Sequence, residues 1–134
     1  MDIDDKIKAY LSSGPYAVVG ASPKREKYGN KVFRCYLQHG YVAYPVHPKA
    51  TEVEGRPCFP SLGELPESVR GISVITPPPM TDRIVEEAHA AGIEFVWMQP
   101  GAESQTAIDR AEELGMTVIA GGPCLLVALG FTDE

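Results

Sequence analysis

The sequence predicts a three-layer, doubly wound α/β domain with a mostly parallel sheet of five to six strands. Three observations carry this. Short apolar, β-branched runs alternate with helical patterns along the chain, the layout of strands joined by covering helices. The first run, Tyr16-Ala-Val-Val19, meets Gly20, small residues and a polar loop before a helical pattern begins at Lys31. Finally, each unusual loop follows a strand, so all of them gather at the C-terminal edge of the sheet, where this architecture binds ligands.

The elements follow in order. Asp2 to Leu11 reads as a helix, with Ile3, Ile7, Tyr10 and Leu11 on one face and acidic residues in the first turn. Ser12-Ser-Gly-Pro15 stops it, and it is expected to lie across the sheet as an extra layer. After strand one, Asn30 is the expected cap of a helix over Lys31–Gln38, which Gly40 ends. Strand two is Tyr41–Val46, followed by His47-Pro48-Lys49. Gly55–Phe59 reads as a short edge strand and Ser61–Leu65 as a single helical turn. Gly71–Ile75 is a buried strand ended by Thr76-Pro-Pro-Pro79, with Thr81 as cap of a helix over Asp82–Ala91. Phe95–Met98, a helix over Ser104–Leu114, the strand Thr117–Ala120 and a final turn at Leu125–Leu129 complete the chain. With Gly55–Phe59 counted, the expected order is 3-2-1-4-5-6.

Composition narrows the function. The 134 residues form one expected domain, 1–134, large enough for a core. A net charge of −6 argues against general nucleic-acid binding. No apolar run suggests a membrane span, and the acidic N-terminus is unlike a signal peptide, so the cytoplasm is the expected compartment. Cys35, Cys58 and Cys124 are far apart, which indicates neither a disulfide framework nor a zinc site.

The loop after strand one is a nucleotide-type turn of unusual wording. Gly20 lets the backbone turn sharply and approach a ligand, and loop N–H groups with the following helix start can face a phosphate. A dinucleotide fingerprint needs G-x-G-x-x-G, and this loop reads Gly20-Ala-Ser-Pro-Lys-Arg25. An NAD site also wants an acidic residue after strand two, where Val46-His-Pro-Lys49 stands instead. Lysine there suits a phosphate. NADP stays as an alternative that the missing glycines weigh against.

Val18-Val-Gly-Ala-Ser-Pro23, Tyr28-Gly-Asn-Lys-Val32, Tyr44-Pro-Val-His-Pro-Lys49, Thr76-Pro-Pro-Pro79 and Val96-Trp-Met-Gln-Pro-Gly101 occur in one order and spacing. Together they resemble the small CoA-binding proteins of the succinyl-CoA synthetase α-subunit type. The resemblance implies a Rossmann-like fold that binds coenzyme A. It would turn Gly20, Ala21 and Ser22 toward the diphosphate and bring Lys49 and Lys24 to phosphates. Thr76, Pro77 and Pro78 would line the adenine and pantetheine path, which Gln99 and Gly101 would close. His47 and Pro48 would belong to the same wall, with His47 where the family has asparagine. The Gly121-Gly-Pro-Cys124 segment departs from the family's Asp-Arg-Cys.

Other residues have plainer readings. Arg25 and Lys27, with Lys24, suit a solvated loop as well as a phosphate. Trp97 suits core filling, Cys124 a buried structural thiol, and His39 and His89 the surface. No catalytic residue and no metal site is expected. The function expected is a coenzyme A or acyl-CoA binding protein without chemistry of its own, regulatory or a carrier. Alternatives are a CoA-site subunit of a separate ligase and an NADP-binding oxidoreductase fragment. Expected partners are CoA or acyl-CoA, with a second copy of the chain or a ligase subunit as macromolecular options.

Overall fold

The computed structural model describes residues 2–133. Its elements are α1 (Ile3–Leu11), β1 (Tyr16–Val19), α2 (Tyr28–Gln38), β2 (Ala43–Val46), β3 (Glu52–Val53), β4 (Arg56–Pro57), a 3-10 turn (Leu62–Glu64), β5 (Gly71–Val74), α3 (Pro78–Ala90), β6 (Phe95–Met98), α4 (Gln105–Glu113), β7 (Thr117–Ile119) and α5 (Leu125–Leu129).

Five parallel strands form the main sheet in the order β2-β1-β5-β6-β7. β1, β5 and β6 are buried residue by residue, as strands covered on both faces must be. Ala17, Val19, Ile72 and Val74 pack on one side with Ile84, Val85 and Ala107 of α3 and α4. Tyr16, Val18 and Trp97 pack on the other with Tyr10, Val32, Phe33, Tyr36 and Leu125 of α1, α2 and α5. The register sets Val46, Val19, Val74 and Met98 in one row across the sheet. The loops beginning at Gly20, His47, Ile75 and Gln99 therefore leave from the same level. The chain winds outward from β1 to β2 and from β5 through β6 to β7. The reversal lies between β1 and β5, the crevice where doubly wound sheets hold ligands.

Four expectations change. The Gly55–Phe59 segment does not add a full sixth strand. Its Arg56–Pro57 pairs with Glu52–Val53 as a separate antiparallel hairpin, and only Phe59 bridges to Val46 at the β2 edge. The two prolines beside it remove ladder donors, which limits the pairing to one bridge. α2 starts at Tyr28, before Asn30, because Lys27 takes the cap position in extended backbone. α3 starts at Pro78, with Pro78 and Pro79 in a first turn that needs no backbone donors. Thr81 is therefore inside the helix and is not its cap.

α1 is not an extra layer. It lies in the same layer as α2 and α5, held by the fully buried Tyr10. That ring stacks on Tyr16 at 4.9 Å and meets Trp97 edge-on at 5.2 Å. Among the described residues, no helix is long and apolar enough to cross a membrane.

Candidate functional site

Gly20 sits at the centre of the crevice with φ at 98°. A Cβ there would overlap the Ile75 carbonyl oxygen and stand 2.8 Å from its carbon. The position demands glycine because β5 runs so close, and the result is an open backbone bend. Gly29 is under the same constraint from the other side, since its Cβ would overlap the Gly20 carbonyl oxygen. The start of α2 is thereby seated directly against the bend.

Buried polar residues fix the loop between them. Asn30, fully buried, donates to the Ser22 carbonyl at 2.9 Å and to Glu54 at 3.1 Å. Its Oδ1 accepts from Arg34 Nε at 2.6 Å. Arg34 also donates to the Arg25 carbonyl at 2.9 Å and pairs with Asp133 at 3.0 Å. Arg25 in turn pairs with Glu54 at 3.2 Å. The loop is clamped at Ser22 and Arg25, which leaves Lys24 and Lys27 to face solvent.

Three hollows join along this edge. One, of about 410 Å³, is lined by Ser22, Lys24, Lys27, His47 and Lys49. Among the described residues none of these lysines forms an ion pair. The second, of about 460 Å³, shares His47 and opens over Gly20, Val46, Leu62, Ile75 and Ile84. The third, of about 290 Å³, shares Ile75, Thr76 and Pro77 and runs to Pro100 and Gly101. They make one groove: a cationic end, an apolar middle over the glycine bend, and a smaller, shallow outlet.

The expected site residues divide by position. Gly20, Ser22, Lys24, His47, Pro48, Lys49, Thr76, Pro77 and Gly101 line the groove. Ala21 is fully buried, so only its backbone is available there. Pro78 is exposed in the first turn of α3 and lines none of the three hollows. Gln99 is fully buried and faces inward: Oε1 accepts from Tyr28 at 3.1 Å and from the Leu125 N–H at 2.9 Å. It ties β6 to α2 and α5.

Local chemistry sets the rest. His47 Nδ1 accepts from the N–H groups of Lys49 at 3.0 Å and Ala50 at 3.1 Å, the turn that an asparagine side chain would make. In the neutral ring the proton then sits on Nε2. Thr81 donates to the Ala102 carbonyl at 2.8 Å, so the Thr76 hydroxyl, 2.8 Å away, donates to Thr81. That chain fastens the Thr76 loop to the β6 loop. Tyr28 donates to Gln99, so the Cys124 thiol, 2.7 Å from the phenol oxygen, donates to Tyr28. Burial first, and the neighbouring thiol second, push the Tyr28 phenol well above its usual range. Cys124 is half-buried and engaged, unlike the buried thiol expected. Trp97 is fully buried in the core and donates to the Pro123 carbonyl at 3.0 Å.

Gly29, Asn30 and Arg34 lie outside the site that the sequence predicts, whereas Lys27, read there as suiting a solvated loop as well as a phosphate, lines the cationic hollow. A glycine and an asparagine in the first turn of a helix are poor helix formers there, and that was the available signal. Arg34, four residues after Asn30, is legible only once the helix is known to begin at Tyr28.

A parallel sheet with a glycine bend at its topological switch and a cationic groove end defines a nucleotide-binding α/β domain. Residues 15–130 match the family of CoA binding domains, and the chain belongs to that family. An ADP-forming acetate–CoA ligase of Archaeoglobus fulgidus is 35% identical over 119 residues. That match covers 81% of this chain but 17% of the ligase. Protein YneT of Bacillus subtilis, described as uncharacterized, is 28% identical over 87% of this chain and 85% of its own. A hypothetical protein from Pyrococcus horikoshii superposes with a TM-score of 0.88 at 33% identity, over 96% of this chain and 92% of that one. The dinucleotide-forming acetyl-coenzyme A synthetase 1 of Ca. Korarchaeum cryptofilum, in complex with phosphate and ADP, gives a TM-score of 0.70 at 28% identity. It is matched over 78% of this chain and 25% of that one.

Proposed function

We propose that this domain binds coenzyme A or an acyl-CoA in the groove and performs no chemistry on it. The single observation that carries the reading is the charge and shape order along the groove. The three lysines at its cationic end, which form no ion pair among the described residues, suit the cofactor's phosphates, and the open bend at Gly20 suits its diphosphate. The apolar middle suits a base, and the outlet past Thr76 and Gly101 suits the pantetheine arm. Family membership and the ligase relative support the choice of this cofactor over NADP.

The binder reading draws on the groove's own side chains. The one carboxylate lining the apolar middle, Glu87, is an exposed rim group. Those at the cationic end and the outlet are lysines, hydroxyls and an imidazole whose Nδ1 already accepts two backbone N–H groups. Such a ring orders a turn and is poorly placed to take a substrate proton through that nitrogen. The same groove would also serve a separate ligase subunit, which the likeness to the acetate–CoA ligase favours as the second reading.

Side-by-side calorimetric titration with CoA and NADPH tests the proposal. Saturable CoA binding with weak or absent NADPH binding is expected. Tight NADPH binding without CoA binding would overturn it. Adding acetate, ATP and Mg²⁺ to the CoA complex should yield no acetyl-CoA, ADP or phosphate; turnover by the chain alone would refute the non-catalytic part.

A further inference from the structure

Two charged side chains on α3 face the apolar middle of the groove, and the role assigned to the groove has not used them. Met80, Arg83, Ile84 and Glu87 line that hollow together, which the i, i+3, i+4, i+7 spacing requires of one helix face. The remaining charges of α3 that look toward α4 are committed. Asp82 accepts from Ser104 and Thr106, and Glu86 pairs with Arg110 at 2.8 Å. Arg83 and Glu87 stand at i and i+4 yet do not pair with each other. Among the described residues neither makes a hydrogen bond or an ion pair. A donor and an acceptor, both uncommitted, thus stand one helical turn apart at the rim of an apolar cavity of about 460 Å³.

We infer that Arg83 and Glu87 read the edge of the cofactor's purine and make this groove selective for adenine. The inference rests on the CoA reading above. Adenine presents a donor, the N6 amine, beside an acceptor, N1. Glu87 accepts from N6 and Arg83 donates to N1, while Ile84 and Val46 supply the flat apolar walls. Hypoxanthine inverts both positions, with a carbonyl at C6 and a proton on N1. The carboxylate then faces an oxygen and the guanidinium faces an N–H. A site built to hydrogen-bond one pattern rejects its inverse because its own polar groups are left unpaired.

The test is calorimetric titration of the wild-type chain, E87Q and R83Q. Three probes are used: CoA, its hypoxanthine analogue and 4′-phosphopantetheine, which has no base. Both positions are exposed, so neither variant is expected to disturb folding. The wild type should prefer CoA over the hypoxanthine analogue by about tenfold or more. E87Q should lose about tenfold in CoA affinity and most of that preference, because its amide can donate to the C6 oxygen. R83Q should weaken CoA by a similar factor, and all three chains should bind 4′-phosphopantetheine alike. CoA affinity and base preference unchanged in both variants would overturn the inference and leave the CoA reading standing. Failure of the folded wild type to bind CoA would overturn both.

Discussion

Gly29 presses its backbone on the carbonyl of Gly20. A Cβ at residue 29 would overlap that oxygen and lie 3.0 Å from its carbon. Both partners are backbone, one in the first turn of α2 and the other in the bend after β1, so neither can swing aside. Gly29→Ala should therefore push α2 away from the bend and lower stability by about 1–3 kcal/mol, the usual range for overpacking. CoA affinity should fall with it. Gly63→Ala, where a Cβ meets only the Ser61 Oγ at an ordinary 4.0 Å, is the control and should change little. Urea unfolding checks the pair, and equal midpoints for the two variants would contradict the account.

Gln99 should behave as a structural residue. Gln99→Leu keeps the volume but strands the Leu125 N–H, which now donates to Oε1 at 2.9 Å. A buried donor left without a partner costs about 1–3 kcal/mol. The expected result is lower thermal stability with CoA affinity nearly unchanged below the transition. A large affinity loss at full stability would instead put Gln99 in contact with the ligand.

Lys49 tests the cationic end. If it meets the ribose 3′-phosphate, Lys49→Ala weakens CoA by roughly tenfold, as loss of a charge-assisted contact does, and spares dephospho-CoA. The salt dependence of CoA binding should become shallower as well, by analogy with lysine–phosphate contacts elsewhere. Equal losses for the two ligands would exclude that role.

Alkaline pH should unfold this protein through its buried aromatic layer. Tyr10, Tyr16 and Tyr36 stack with centroids 4.9 and 5.1 Å apart. Burial pushes Tyr16 from 10.0 to about 12, and it pushes Tyr10 and Tyr36 well above the usual range. Burial likewise pushes the Cys35 thiol from 9.0 to about 11. Each raised group keeps its proton in the folded state after the unfolded chain has released it. Stability from these groups is whole below pH 9, declines first through Cys35, and falls more steeply above pH 10 as the tyrosines join. One such group contributes a slope of up to about 1.4 kcal/mol per pH unit. Urea midpoints that stay level from pH 9 to 11 would refute the assignment.

Much of the groove was legible because it is made of short segments. Gly20, the His47–Lys49 loop and Thr76-Pro77 follow strands whose apolar runs are plain in the sequence, and the parallel register then sets them side by side. The misread helix starts share one cause. Asn30 and Thr81 are good caps by residue type, but each has a better partner across the fold: Ser22 and Glu54 for Asn30, Thr76 and Ala102 for Thr81. The α3 pair Arg83 and Glu87 was invisible for a related reason. Their spacing reads as an ordinary solvated face until Leu62 and Val46 are seen to form the opposite wall of a cavity.

The sequence by itself determined the strand runs, the alternation with helices and the glycine bend, since these depend on neighbours a few residues away. It also determined the cationic loops that follow β1 and β2. Tertiary structure alone decided which polar groups turn inward. Gln99 and Asn30 are consumed by partners from distant elements, while Lys24, Lys27 and Lys49 are left facing one hollow. The physical reason is that a buried polar group must find a partner, and which partner is near is a property of the packed chain rather than of its order.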